Sequence, residues 1–162
     1  TEFQAARGAM RELIEARGYA QSIDSYVAVP GGDRVDASLL LMGCLGYADP
    51  RGARMRSTFS RIEQRLSRNG LLPRYERELD GMAGAEGAFG ICSFWAIDNL
   101  AKRGDYAAAH RSFEHVLRFA NDVGLFAEEI DPDSGSSLGN FPQAYTHVGL
   151  INAALALEGE RG

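Results

Sequence analysis

Three stretches of this chain gather the residue types that handle polyhydroxylated ligands. Glu128, Glu129, Asp131, Asn140 and Gln143 crowd one stretch; Pro73, Arg74, Tyr75, Asp80 and Glu86 crowd a second; Gly31, Gly32 and Asp33 form a third. Carboxylates move protons or accept from hydroxyls, arginine and amides donate in fixed geometry, and aromatic rings stack on sugar faces. Gathered at one rim, these groups are the equipment of a carbohydrate site. Spacing alone does not establish one, because charged loops are normally just solvated.

Composition narrows the alternatives. The 162 residues are 45% hydrophobic and 24% charged, the profile of one ordinary globular domain spanning 1–162. Seventeen Lys and Arg against twenty-two Asp and Glu leave a net charge of −5 with no basic block, which argues against nucleic acid or an anionic membrane as partner. Cys44 and Cys92 lie in apolar helical stretches without a CxxC pair or a nearby His, so they read as buried free thiols in a reducing compartment, not as a bridge or metal site. No apolar run approaches the roughly 18 residues of a membrane span. The expectation is a soluble, cytoplasmic protein.

The elements that must position the three stretches are helices. Residues 1–18 carry Phe3, Ala6, Met10, Leu13 and Ile14 at threes and fours, with Gly18 as a stop. Residues 35–47 are apolar nearly all round, which marks an enclosed helix; Asp36 can cap it and Asp49-Pro50 ends it. Residues 51–68 differ, with one stripe of Met55, Phe59, Ile62 and Leu66 among arginines, as on an outer helix. A loop runs from Asn69 to about Ala85, and the alternation repeats: apolar 86–102, striped 106–122, a loop over 123–139, apolar 140–158. The apolar helices begin near residues 35, 86 and 140, about fifty apart, as in helical hairpins packed in two layers. The pattern predicts an all-α fold of about three hairpins, half of an (α/α)6 toroid, whose loops into the inner helices share one end. Only Ser25–Pro30 looks strand-like.

On these residues the chain resembles glycoside hydrolase family 15, which includes glucoamylases and a branch of bacterial and archaeal trehalases. ANDVGLFAEEIDPDSGSSLGNFPQAYTH (120–147) is similar to the family's C-terminal catalytic segment, and EGAFGICSFW (86–95), GLLPRY (70–75) and GGDRVDASLLL (31–41) match in the same order. The closest likeness is to the trehalase-like branch. The resemblance implies inverting hydrolysis by two carboxyl groups, one protonating the leaving oxygen and the other activating water, about 6.5–9.5 Å apart. It puts Glu128 where the family has its base and implies that Glu129 orients the site or binds a hydroxyl. Arg74 matches an arginine that hydrogen-bonds the sugar near the point of cleavage, with Tyr75 beside it. Glu86 opens an inner helix, where a carboxylate suits the positive end of the helix dipole whether or not it touches substrate. Trp95 reads as core packing, His110 and His115 as surface residues, and His147 as buried and hydrogen-bonded. No cofactor or metal is implied.

Two departures bear on activity. The family's acid lies in a Trp-Glu motif upstream of these segments, and the one tryptophan here is Trp95, in SFWAID. Fungal members also carry a serine that bonds the base, at a position corresponding to Gly139. The expectation is therefore part of an inverting hydrolase of α-linked glucosides (trehalose or maltooligosaccharides) that supplies the base, lacks the acid and is inactive alone. Its inner helices would be covered by an N-terminal half or by a second copy. The alternative is a non-catalytic helical-repeat module that binds a partner or sugar on a concave face.

Overall fold

The computed structural model describes residues 1–76 and 87–159. Six α-helices and two small antiparallel sheets make up its regular structure. Among the described residues no helix is long and apolar enough to cross a membrane.

Helix α1 (Glu2–Arg17) forms where the apolar spacing predicts, but buries none of its residues. Phe3 is 88% exposed, and Met10 and Leu13 also face outward. Polar contacts hold α1 to the body: Glu15 accepts from Tyr47 Oη at 3.0 Å and from Arg54 Nη1 at 2.9 Å. A short hairpin follows, β1 (Tyr19–Ala20) against β2 (Ser25–Tyr26). The strand-like stretch is thus a strand over its first two residues only. Tyr26 N donates to Thr58 Oγ1 at 2.9 Å, anchoring the hairpin to the next long helix.

The first inner helix is much shorter than 35–47. A 3-10 turn (Ala37–Leu40) leads into a single α turn, α2 (Leu41–Cys44). Asp36 caps it as expected, accepting from Ser38 N at 2.7 Å. A glycine just beyond α2 accounts for its shortness. Gly46 has φ +74°, which a continuing helix cannot accommodate, and Gly43 packs so closely on Asn99 that a Cβ would lie 2.6 Å from its Oδ1. The apolar pattern reported enclosure correctly; enclosure does not fix helix length.

Helix α3 (Ala53–Leu66) buries Met55, Phe59, Ile62 and Leu66, the predicted stripe. Strand β3 (Ala88–Phe89) runs into α4 (Gly90–Lys102), and a tight turn at Gly104 (φ +87°) leads to α5 (Tyr106–Leu117). The stretch 123–139 is not an unstructured loop. It carries β4 (Glu129–Ile130) and β5 (Ser137–Leu138), which with β3 form a three-stranded antiparallel sheet in which Phe89 faces Glu129 and Glu129 faces Leu138. Two-residue strands carry too little alternation to be seen in sequence. Helix α6 (Ala144–Glu158) closes the described chain.

Contacts show that the inner helices run parallel. Gly90 lies against Thr146, and Gly149 against Ile91 and Phe94, so positions on α4 and α6 rise together. On the other side Asn99 Nδ2 donates to Leu40 O at 2.8 Å, and Lys102 Nζ to Cys44 O at 2.8 Å. The described residues therefore form two hairpins, α2–α3 and α4–α5, and a further inner helix, α6, where three hairpins were expected. The core lies between these layers. Phe94, fully buried, meets Phe126 edge-on at 5.6 Å and Phe113 at 6.3 Å. On its other side α6 leaves Val148, Ile151 and Leu155 exposed, Leu155 by 60%.

Candidate active site

Parallel inner helices put the segments that enter them at one end of the bundle. Asp36 and Arg74 stand at the start of the first, β3 and Gly87 at the start of α4, and Glu128 and Asn140 at the start of α6.

Glu128 immediately precedes β4, in register opposite Gly139. Its backbone extends the pairing, since Glu128 N donates to Asn140 O at 2.9 Å and Gly90 N to Glu128 O at 3.0 Å. The half-buried side chain turns toward α6. Oε1 accepts from Tyr145 Oη at 2.8 Å, while Oε2 accepts from Asn140 N at 3.0 Å and Asn140 Nδ2 at 2.8 Å. The Asn140 amide, then the Tyr145 hydroxyl, hold this carboxyl below the ordinary glutamate value of 4.5. Burial and the bond to Glu128 push the Tyr145 phenol the other way, above its usual range. The result is a carboxylate ionised at neutral pH and aimed by donors from two elements.

Successive strand residues face opposite sides, so Glu129 points away from Glu128. Its Oε2 accepts from Gly87 N at 2.9 Å and fastens the entry to α4. The space is tight: a Cβ on Gly87 would lie 2.9 Å from that oxygen.

Arg74 leaves 49% of its side chain exposed and pairs through Nε with Asp36 Oδ2 at 3.5 Å. The two loops also join through their backbones, Ala37 N donating to Arg74 O at 2.7 Å. Half-buried Tyr75 bridges to Asp36. Between the Arg74 and Glu128 segments lies α4, whose buried Cys92 feels the charges of Asp36 and Arg74. Glu86 and Asp80 lie outside the described residues.

Other candidates have structural partners. Asp131 builds a turn, accepting from Asp133 N at 2.9 Å. Trp95 packs, partly buried, against the core. Exposed His110 lies on α5, and His115 joins Asn69 O at 2.9 Å. His147 Nδ1 donates to Gln143 O at 2.8 Å and Nε2 accepts from Phe126 N at 3.3 Å, so this ring is a hydrogen-bonded brace under the Glu128 segment. Sequence reasoning gave no site role to Asp36 or Tyr145. Asp36 shows there only as a cap, and Tyr145 as one aromatic in an apolar run.

This arrangement of helices superposes on known glycosidases. A wild-type glycosidase superposes with a TM-score of 0.82 at 22% identity, covering 96% of this chain and 44% of that one. A glycosidase variant in complex with glucose superposes at 0.80, also at 22% identity and with the same coverage. The sequence model of Glycosyl hydrolases family 15 matches residues 105–155. The trehalase of Mycolicibacterium smegmatis is 41% identical over 152 residues, and that of Mycobacterium tuberculosis 45% over 152; each alignment covers 91% of this chain. The trehalase of Thermoplasma acidophilum is 40% identical over 145 residues, 90% of this chain. The chain resembles glycoside hydrolase family 15, whose sequence model matches part of it. It spans 22–25% of the length of these trehalases.

Proposed function

We propose that this chain is the base-bearing part of an inverting glycoside hydrolase for α-linked glucosides, with trehalose the favoured substrate. The observation that carries the reading is Glu128, ionised and pinned by Tyr145 and Asn140 at the end of the bundle where Arg74 also stands. The relatives' names favour trehalose over maltooligosaccharides.

In the reaction Glu128 takes a proton from water as its oxygen attacks the anomeric carbon. A carboxylic acid on further polypeptide protonates the departing glycosidic oxygen. The attacked glucosyl unit leaves with inverted configuration, and the second sugar leaves as the alcohol. Arg74, oriented by Asp36, donates to hydroxyls of the attacked sugar, and Tyr75 lines the same approach. Glu129 acts through structure, holding Gly87 and the start of α4. Glu86, at the head of the same segment, is a further candidate for the sugar's hydroxyls.

Further polypeptide has a second role. Val148, Ile151, Leu155 and Leu45 are exposed apolar side chains beside the inner helices, a surface that water disfavours. The rest of the catalytic domain, or a second copy of this chain, covers it.

The purified chain should release no glucose from trehalose or maltose, because losing acid catalysis forfeits roughly 10²–10⁴-fold in rate. In a polypeptide carrying both carboxyl groups, Glu128→Gln should lower kcat on trehalose by a similar roughly 10²–10⁴. Undiminished turnover by that variant would end the assignment of Glu128 as base.

A further inference from the structure

Glutamate has three rotatable side-chain bonds, and a half-buried one left alone samples several orientations. Proton abstraction from an attacking water requires one, because misplacement by an ångström costs orders of magnitude in rate. Both Glu128 oxygens are held here. Tyr145 donates to Oε1 at 2.8 Å from the first turn of α6, and Asn140 donates twice to Oε2, through its backbone at 3.0 Å and its amide at 2.8 Å, from the segment before α6. Gly139 closes a third side, its missing side chain leaving room for the carboxylate.

We propose that Tyr145 and Asn140 are the positioning residues of this site, fixing the Glu128 carboxylate in the one orientation from which it accepts the water's proton. The proposal rests on the reading of Glu128 as base and adds the residues through which that base is aimed. Donors from a helix and from a loop triangulate the carboxylate, which one element alone could not do. Both donors favour the charged form, and the Glu128 carboxyl, held below the ordinary glutamate value, agrees with that.

The same three bonds could merely fasten the loop, and the test must tell these apart. Carboxyl NMR titration of the chain, labelled at glutamate side chains, follows Glu128 directly and needs no activity. Tyr145→Phe removes one donor and keeps the ring; Asn140→Ala removes another and keeps the backbone N–H. Each should move the Glu128 titration upward in pH. Tyr47→Phe, which removes a tyrosine–glutamate bond on α1, should leave it in place.

In a polypeptide carrying both carboxyl groups, Tyr145→Phe should lower kcat on trehalose about tenfold or more with KM little changed. It should also shift the acid limb of the pH profile upward. A loop fastener would instead lower thermal stability and move the titration while leaving kcat and KM where they were. If neither Tyr145→Phe nor Asn140→Ala moves the Glu128 titration, the positioning proposal is overturned, whatever Glu128→Gln does. If the titration moves while Glu128→Gln keeps full turnover, the reading of Glu128 as base has failed instead.

Discussion

Gly139 and Glu128 face each other across neighbouring segments so closely that a Cβ on Gly139 would lie 2.8 Å from Glu128 Oε2. The glycine also sits at φ +70°, which side chains rarely adopt. A serine cannot be restored here as a simple hydrogen-bond donor. Gly139→Ser should destabilise the chain by about 1–3 kcal/mol, from backbone strain and the close contact. It should also displace Glu128 from Asn140. Chemical denaturation measures the first effect, and the Glu128 carboxyl titration the second.

The downward shift of the Glu128 ionisation sets the sign of a pH effect. A carboxyl that ionises more readily folded than unfolded contributes stability above its unfolded value, and that contribution is lost as pH falls through the folded value. The wild-type chain should therefore lose its stability advantage over Glu128→Gln as pH is lowered through and below about 4. Thermal unfolding of both proteins across this range measures it. A gap that widens toward acid would contradict the geometry.

Burial raises both cysteine thiols well above the usual thiol range, for Cys44 with help from the neighbouring Asp98. The thiolate is the reactive form, so both should resist alkylation near neutral pH. Iodoacetamide followed by intact-mass measurement should show little modification of the native chain and two modified sites after unfolding.

Thr146 is fully buried between α4 and α6, and its Oγ1 has no hydrogen-bond partner among the described residues. A buried hydroxyl without a partner costs about 1–3 kcal/mol. Thr146→Val keeps the shape and removes that cost, so it should raise the unfolding midpoint. A lowered midpoint would mean that the hydroxyl has a partner.

Much of the fold was legible because hydrophobic spacing reports enclosure. The stripe of α3 and the apolar α4 and α6 follow from it, and Gly18 and Asp36 end and begin elements where their chemistry says they should. What failed were lengths and small pairings. Gly46 ends the first inner helix after two short turns, through a positive φ that no window average shows. The β4–β5 hairpin is too brief to alternate visibly. For α1, spacing showed an apolar stripe but not what covers it, and nothing in the described chain does. The base position came from resemblance, since a charged loop alone does not distinguish Glu128 from Glu129. The structure separates them through strand alternation, which turns one to α6 and the other to Gly87.

The turn at Gly104 lies at the opposite end of α4 from Glu128, Gly87 and Arg74, and the link from α2 to α3 lies at that end too. Chain can lengthen or be cut there without entering the end that carries Glu128, Gly87 and Arg74. The bundle thus has a plastic pole opposite the one that gathers Glu128 and Arg74, and a fusion or new terminus belongs at the plastic one.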